Sequence, residues 1–124
     1  LWQRVQNGEG QAVTEILILK AVLFIEDHLV DSEVKAEQIA DAVGMSRSYF
    51  SVCFKKCTGY SVNSYIRKER IALACLLREN PQISAEQMAD AVGYHDEKYF
   101  VKLFQQSMGI GFAEYKKQLK RQEF

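Results

Sequence analysis

Apolar side chains recur every three or four positions along almost the whole chain. From about Ala12 to Leu29, the residues Ile16, Leu19, Val22, Leu23, Ile25 and Leu29 keep that spacing, which suits an amphipathic helix packed on a core. Ala36 to Ala42 makes a short second helix stopped by Gly44, a residue able to take the left-handed conformation that turns the chain. Arg47 to Cys57 makes the next, ending at Gly59. Ser61 to Asn80 then runs without Gly or Pro until Asn80-Pro81 closes it. This is the longest expected helix, spanning about 30 Å. Ser84 with Gln87 three residues on has the form of a capping box. His95 to Met108 and Phe112 to Gln122 complete the series. No stretch alternates with period two between turn residues, so the fold class is all-α.

Superimposed on the periodicity is a repeat. Ala36-Glu37-Gln38-Ile39-Ala40-Asp41-Ala42-Val43-Gly44 returns as Ala85-Glu86-Gln87-Met88-Ala89-Asp90-Ala91-Val92-Gly93. After each Gly a polar stretch leads to Tyr49-Phe50 and Tyr99-Phe100, with Phe54 and Gly59 echoed by Phe104 and Gly109. The second turn carries one extra residue. A helix-Gly-helix unit stated twice points to two matching binding modules.

Composition narrows the setting. With 124 residues, 48% of them hydrophobic, the chain supports one compact domain or two small lobes. No run approaches the roughly 18 apolar residues of a membrane span, and no leader pattern appears; a cytoplasmic protein without membrane partners is expected. Residues 1–10, with two Gly and no place in the repeat, read as a remnant linker from an upstream domain. The first lobe is then 11–60, the linker helix 61–80 and the second lobe 81–124. Cys53, Cys57 and Cys75 sit inside helical patterns, against a disulfide framework. Cys53 and Cys57 are four apart, but no His or further Cys has supporting spacing, so neither metal nor cofactor is expected. Lys plus Arg and Asp plus Glu balance at 16 each, so charge distribution, not net charge, has to be examined.

A short helix, a tight Gly turn and a second helix form the arrangement that lays its second helix in a DNA major groove. In the first unit Tyr49, Phe50, Cys53, Phe54 and Cys57 form the apolar face of that helix. Arg47, Ser48, Ser51, Val52 and Lys55 fall on the opposite face. In the second unit Phe100, Leu103 and Phe104 point inward, leaving Glu97, Lys98, Val101, Lys102 and Gln105 outside. The outer residues carry what base edges require. Arg47 donates twice to a guanine, the Ser48 and Ser51 hydroxyls donate or accept, Val52 and Val101 touch a thymine methyl, and Glu97 accepts from a cytosine amine. Lys98 and Lys102 complete the base-reading set, while Ser46, Lys55, Lys56, His95 and Gln105 suit phosphates. Acids gather on the first helices of each unit, at Glu37, Asp41, Glu86 and Asp90. Arg47, Lys55, Lys56, Arg67, Lys68 and Arg70 gather in the first recognition helix and the linker helix. The first unit is therefore expected to bind DNA more strongly than the second. A rod of about 30 Å between two recognition helices matches one turn of B-DNA.

These residues resemble the AraC/XylS-type transcription regulators. Ala89-Asp90-Ala91-Val92-Gly93-Tyr94-His95-Asp96-Glu97-Lys98-Tyr99-Phe100 is similar to that family's signature. In the first unit Ile39-Ala40, Gly44, Ser46, Tyr49-Phe50 and Phe54-Lys55-Lys56 with Gly59 match it. Tyr65-Ile66 and Arg70-Ile71 with Ala74 and Leu77 look like its linker helix. The match covers about Ala21 to Lys117. The resemblance implies a seven-helix domain of two helix-turn-helix subdomains joined by a long helix, acting as the DNA-binding half of a bacterial regulator. It implies sequence-specific binding to double-stranded DNA through successive major grooves, and activation through contact with RNA polymerase. Two positions depart from the pattern: Gly111-Phe112 stands where the family has Ser or Thr then Pro, and Tyr115-Lys116 where it has an aromatic then Arg. Phe112 is expected to pack where Pro would have started the helix, and Asp96 to cap its own.

A protein-interaction module that kept this fold and lost DNA binding is the alternative, supported by the zero net charge. An enzyme is not expected, because His28 and His95 lack a nucleophile or carboxylate partner at suggestive spacing. His28 should lie at the exposed end of the first helix. A homodimer is expected only through an upstream domain, with this fragment itself a monomer.

Overall fold

The computed structural model describes residues 9–77 and 82–122. Among these are seven helices and no strand: α1 (Glu9–Asp27), α2 (Ala36–Ala42), α3 (Arg47–Thr58), α4 (Val62–Leu76), α5 (Ala85–Val92), α6 (Glu97–Met108) and α7 (Phe112–Gln122). They divide into two compact units. One takes the described residues up to His28 together with Glu33–Ile66; the other takes Leu29–Ser32 and the described residues from Arg67 onward.

The same helix-turn is built in both units by the same backbone bonds. Gly44 and Gly93 take φ of +73° and +104°, the left-handed region that side chains disfavour. The residue after each reaches back five positions, Met45 N–H to the Ala40 carbonyl at 3.0 Å and Tyr94 N–H to the Ala89 carbonyl at 2.8 Å. This satisfies carbonyls left over at the helix end. Met45 and Tyr94 are both buried. The units diverge just after the turn. Ser46 caps α3 directly, whereas His95 is the inserted residue that precedes the α6 cap, Asp96, whose carboxylate accepts from Tyr99 N–H at 3.2 Å.

At the helix starts the repeat is unequal. Before α5, Ser84 Oγ accepts from Gln87 N–H at 3.1 Å and Gln87 Oε1 accepts from Ser84 N–H at 2.9 Å, a complete capping box. Before α2 stands Lys35, whose side chain has no acceptor. Only the return bond survives, from Lys35 N–H to Gln38 Oε1 at 3.3 Å.

In the first unit α1 packs on α2 and α3. Ile18, Ala21 and Ile25 face the core, but Ile16, Leu19 and Leu23, expected to do so, are 54%, 59% and 57% exposed. Because α1 is apolar nearly all round, its spacing fits two stripes, and α2 and α3 cover only one of them. His28 follows the helix, exposed, with its ring stacked 4.0 Å from that of Phe24.

The second unit is centred on aromatic rings. Phe100, Phe104 and Phe112 are mutually packed at centroid distances of 5.4–6.0 Å, over Met88, Ala89 and Val92. Phe112 opens α7 and is buried, so an aromatic anchor occupies the helix start. Arg70 is also inside, 6% exposed. Its Nε donates to the Leu29 carbonyl and its Nη2 to the Asp31 carbonyl, each at 2.8 Å, while its guanidinium carbon lies 4.8 Å from the Tyr94 ring centroid. Arg70 thus fastens Leu29–Ser32 into this unit and leaves the basic surface to which its charge had assigned it.

Within the described residues the linker helix is α4. Its α-helical bonding ends at Leu76, 15 residues from its start, giving about 22 Å at the usual rise. At 19 residues α1 is longer. The expected stop at Asn80-Pro81 lies outside the described residues.

Candidate nucleic-acid interface

Helix α3 sorts its side chains by facing a core on one side only. Phe50, Cys53 and Phe54 are buried and Tyr49 is half-buried. Cys57, expected on that face, is exposed in the last turn, where Cys53 and Phe54 already complete the packing. On the far side Arg47, Ser48, Ser51, Val52, Lys55 and Lys56 are all exposed. Val52 is 65% exposed, an apolar group offered to solvent between hydrogen-bonding neighbours. Ser46 is held to its helix, its Oγ accepting from Tyr49 N–H at 3.4 Å.

Five of those outer residues, Arg47, Ser51, Val52, Lys55 and Lys56, line one open cleft of about 540 Å³. Ser61, Val62 and Asn63 form its other wall together with Ala36. That wall is the start of α4, where Ser61 Oγ accepts from Ser64 N–H at 3.2 Å. Helix starts carry partial positive charge and spare N–H donors. The cleft therefore joins three cationic side chains to a helix N-terminus, with no carboxylate in its lining. Ser48 is exposed beside it but does not line it. The Ser61–Asn63 wall was not among the expected site residues. A Ser opening a Gly-free helical run is the sequence signal that marks such a wall.

The second unit is different. Glu97, Lys98, Lys102 and Gln105 are exposed on α6, but Val101 is half-buried against the aromatic core, so it is less available than Val52. His95 shares a 2.6 Å hydrogen bond between its Nε2 and Ser32 Oγ, a partner in competition with the phosphate it was expected to meet. An open cleft in this unit is lined by Ser84, Glu86, Gln87, Asp90 and His95, and two carboxylates make it unsuited to a polyanion. Helix α3 holds three cations and no acid; α6 holds Lys98 and Lys102 against Glu97. Behind α6, burial pushes the Tyr94 phenol above its usual value, and the Arg70 guanidinium holds part of that shift back.

Comparison with known proteins bears on the family and the fold. A family model described as a helix-turn-helix domain matches residues 39–118. The chain is 34% identical over 93 residues to the HTH-type transcriptional activator Btr of Bacillus subtilis (strain 168), covering 75% of this chain and 17% of that protein. It is 30% identical over 99 residues to the arabinose operon regulatory protein of Escherichia coli (strain K12), covering 80% and 34%. The chain spans about a third or less of the length of these relatives. Among solved structures, the C-terminal domain of AraT, a response regulator from Geobacillus stearothermophilus, superposes with a TM-score of 0.78 at 25% identity, covering 82% of this chain and 84% of that one. The DNA-binding domain of AdpA, in complex with a target DNA, shares the fold at TM-score 0.79 and 22% identity, covering 85% and 94%.

Proposed function

The chain belongs to the AraC/XylS family of helix-turn-helix transcription regulators, and on that premise we propose that it binds double-stranded DNA sequence-specifically, with α3 as its principal reading helix. The observation that carries this reading is the cleft of α3, cationic on one side and walled by the α4 N-terminus on the other. In the proposed complex Lys55, Lys56 and the α4 N–H groups take backbone phosphates on either side of a major groove, fixing register. Arg47, in the first turn of α3, meets a guanine edge with two donors, Ser48 and Ser51 exchange hydrogen bonds with bases, and the exposed Val52 covers a thymine methyl.

Helix α6 supplies the second, weaker contact. Glu97 selects for a cytosine amine, Lys98 and Lys102 add cationic donors, Val101 offers only part of its surface, and Gln105 reaches the backbone. Because the two outer sets differ, the target is two unlike half-sites rather than a palindrome. The AdpA structure holds its DNA through this fold, and Btr is named an activator. On that footing the chain acts in a regulator that activates transcription through contact with RNA polymerase.

Selection of binders from a randomised duplex library, followed by mobility shift, tests the reading. An enriched asymmetric motif bound by the chain is the expected result. No enrichment over the starting library would sink it, and would leave the protein-interaction alternative.

A further inference from the structure

We propose that the outer face of α1 is the seam of a parallel two-stranded coiled coil with a second copy of this chain. Ile16, Leu19 and Leu23 are more than half exposed although α1 already contributes Ile18, Ala21 and Ile25 to its own unit. A helix apolar on both sides has a second surface to cover. With Ala12 these residues fall at 12, 16, 19 and 23, the alternating four-three spacing of heptad d, a, d and a positions. Ile16 at a followed by Leu19 at d is the combination that favours two parallel strands, with Ala12 and Leu23 at the flanking d and a positions. Glu26 stands at the following d position.

Charge fixes the occupant and its direction. In this register Glu15 is a g residue and Lys20 the e residue five positions on, and both are exposed. Parallel pairing brings each g residue beside the partner's following e residue. Two copies then place Glu15 against Lys20 twice, once on each side of the seam. An antiparallel pair would put Glu15 beside Val22 and Lys20 beside Val13, with no ion pair. A chain of some other identity has no reason to match a pattern that matches itself.

A seam of about two heptads gives weak association, and its value lies in coupling two DNA-binding units, because a second bound unit multiplies affinity without new contacts to bases. The pairing departs from the expectation of a monomeric fragment; it does not rest on the DNA reading, and it is measured without DNA.

The test is sedimentation velocity of the 124-residue chain from micromolar to sub-millimolar concentration. Mass should rise with concentration toward the dimer. Glu15→Lys or Lys20→Glu alone should weaken association by about fivefold or more, and the two together should restore it. Leu19→Cys in a chain with Cys57 and Cys75 replaced by Ser should cross-link to itself on mild oxidation. Circular dichroism checks that each variant keeps its helix content. A chain that stays monomeric throughout, a double charge swap that fails to restore association, or cross-links that form only between Ala12→Cys and Leu23→Cys chains would each overturn the proposal.

Discussion

At position 70 a guanidinium that spacing assigns to a basic helix face is instead buried, holding two carbonyls of Leu29–Ser32. A lysine there keeps the charge but has neither the fork nor the reach to make both bonds. Arg70→Lys is therefore expected to lose about 2–3 kcal/mol in urea denaturation followed by circular dichroism. Gly93 sits against the same group. A Cβ at this site would meet Arg70 Nε and the Leu29 carbonyl oxygen at 3.0 Å, whereas at Gly44 nothing lies within 4 Å. Gly44→Ala should cost only its left-handed conformation, about 1–2 kcal/mol; Gly93→Ala should cost clearly more in the same measurement. Tyr94 adds a pH dependence. Its folded-state phenol binds its proton more tightly than the unfolded one, so the stability it contributes is present below the ordinary value of 10.0 and lost as pH rises through and above it. Unfolding of Tyr94→Phe, compared with the parent between pH 9 and 11, should show a shallower alkaline decline.

The helices themselves were largely legible, since Gly44, Gly59, Gly93, Gly109 and the Ser84–Gln87 box mark their ends by local chemistry. What stayed hidden depends on contacts distant in sequence. The Arg70 bonds span about forty residues, and nothing near Arg70 distinguishes it from Arg67 or Lys68. In α1 two apolar stripes fit one spacing, and only the placement of α2 and α3 decides between them. On the recognition helices the period placed Phe50, Phe54, Phe100 and Phe104 inside, but Cys57 and Val101 lie at edges of the buried face, where one turn of neighbouring structure decides exposure. The Ser61–Asn63 wall has a local signal in Ser61, but that it faces α3 depends on how the next helix packs. Capping makes the clearest forecast at this scale. Ser84→Ala should destabilise by about 1 kcal/mol, and Lys35→Ser, which completes the half-built box at α2, should stabilise by a similar amount. Both are read as shifts of the denaturation midpoint.

For the whole molecule, zero net charge conceals a division of labour. Acids lie on α2 and α5, while α3 carries three cations and no acid. DNA binding should consequently be carried unequally by the two units: Lys55→Ala should cost more affinity than Lys102→Ala on the same duplex. The most direct measurement of the central claim is affinity for a library-selected duplex as a function of salt concentration, for the parent, Lys55→Ala and Arg47→Ala. The parent should weaken steeply with salt. Lys55→Ala should lower the slope by about one, and Arg47→Ala should cost about 1–3 kcal/mol and relax selectivity at a single base position. An affinity indifferent both to salt and to these substitutions would contradict the assignment of the α3 cleft as the DNA-reading surface.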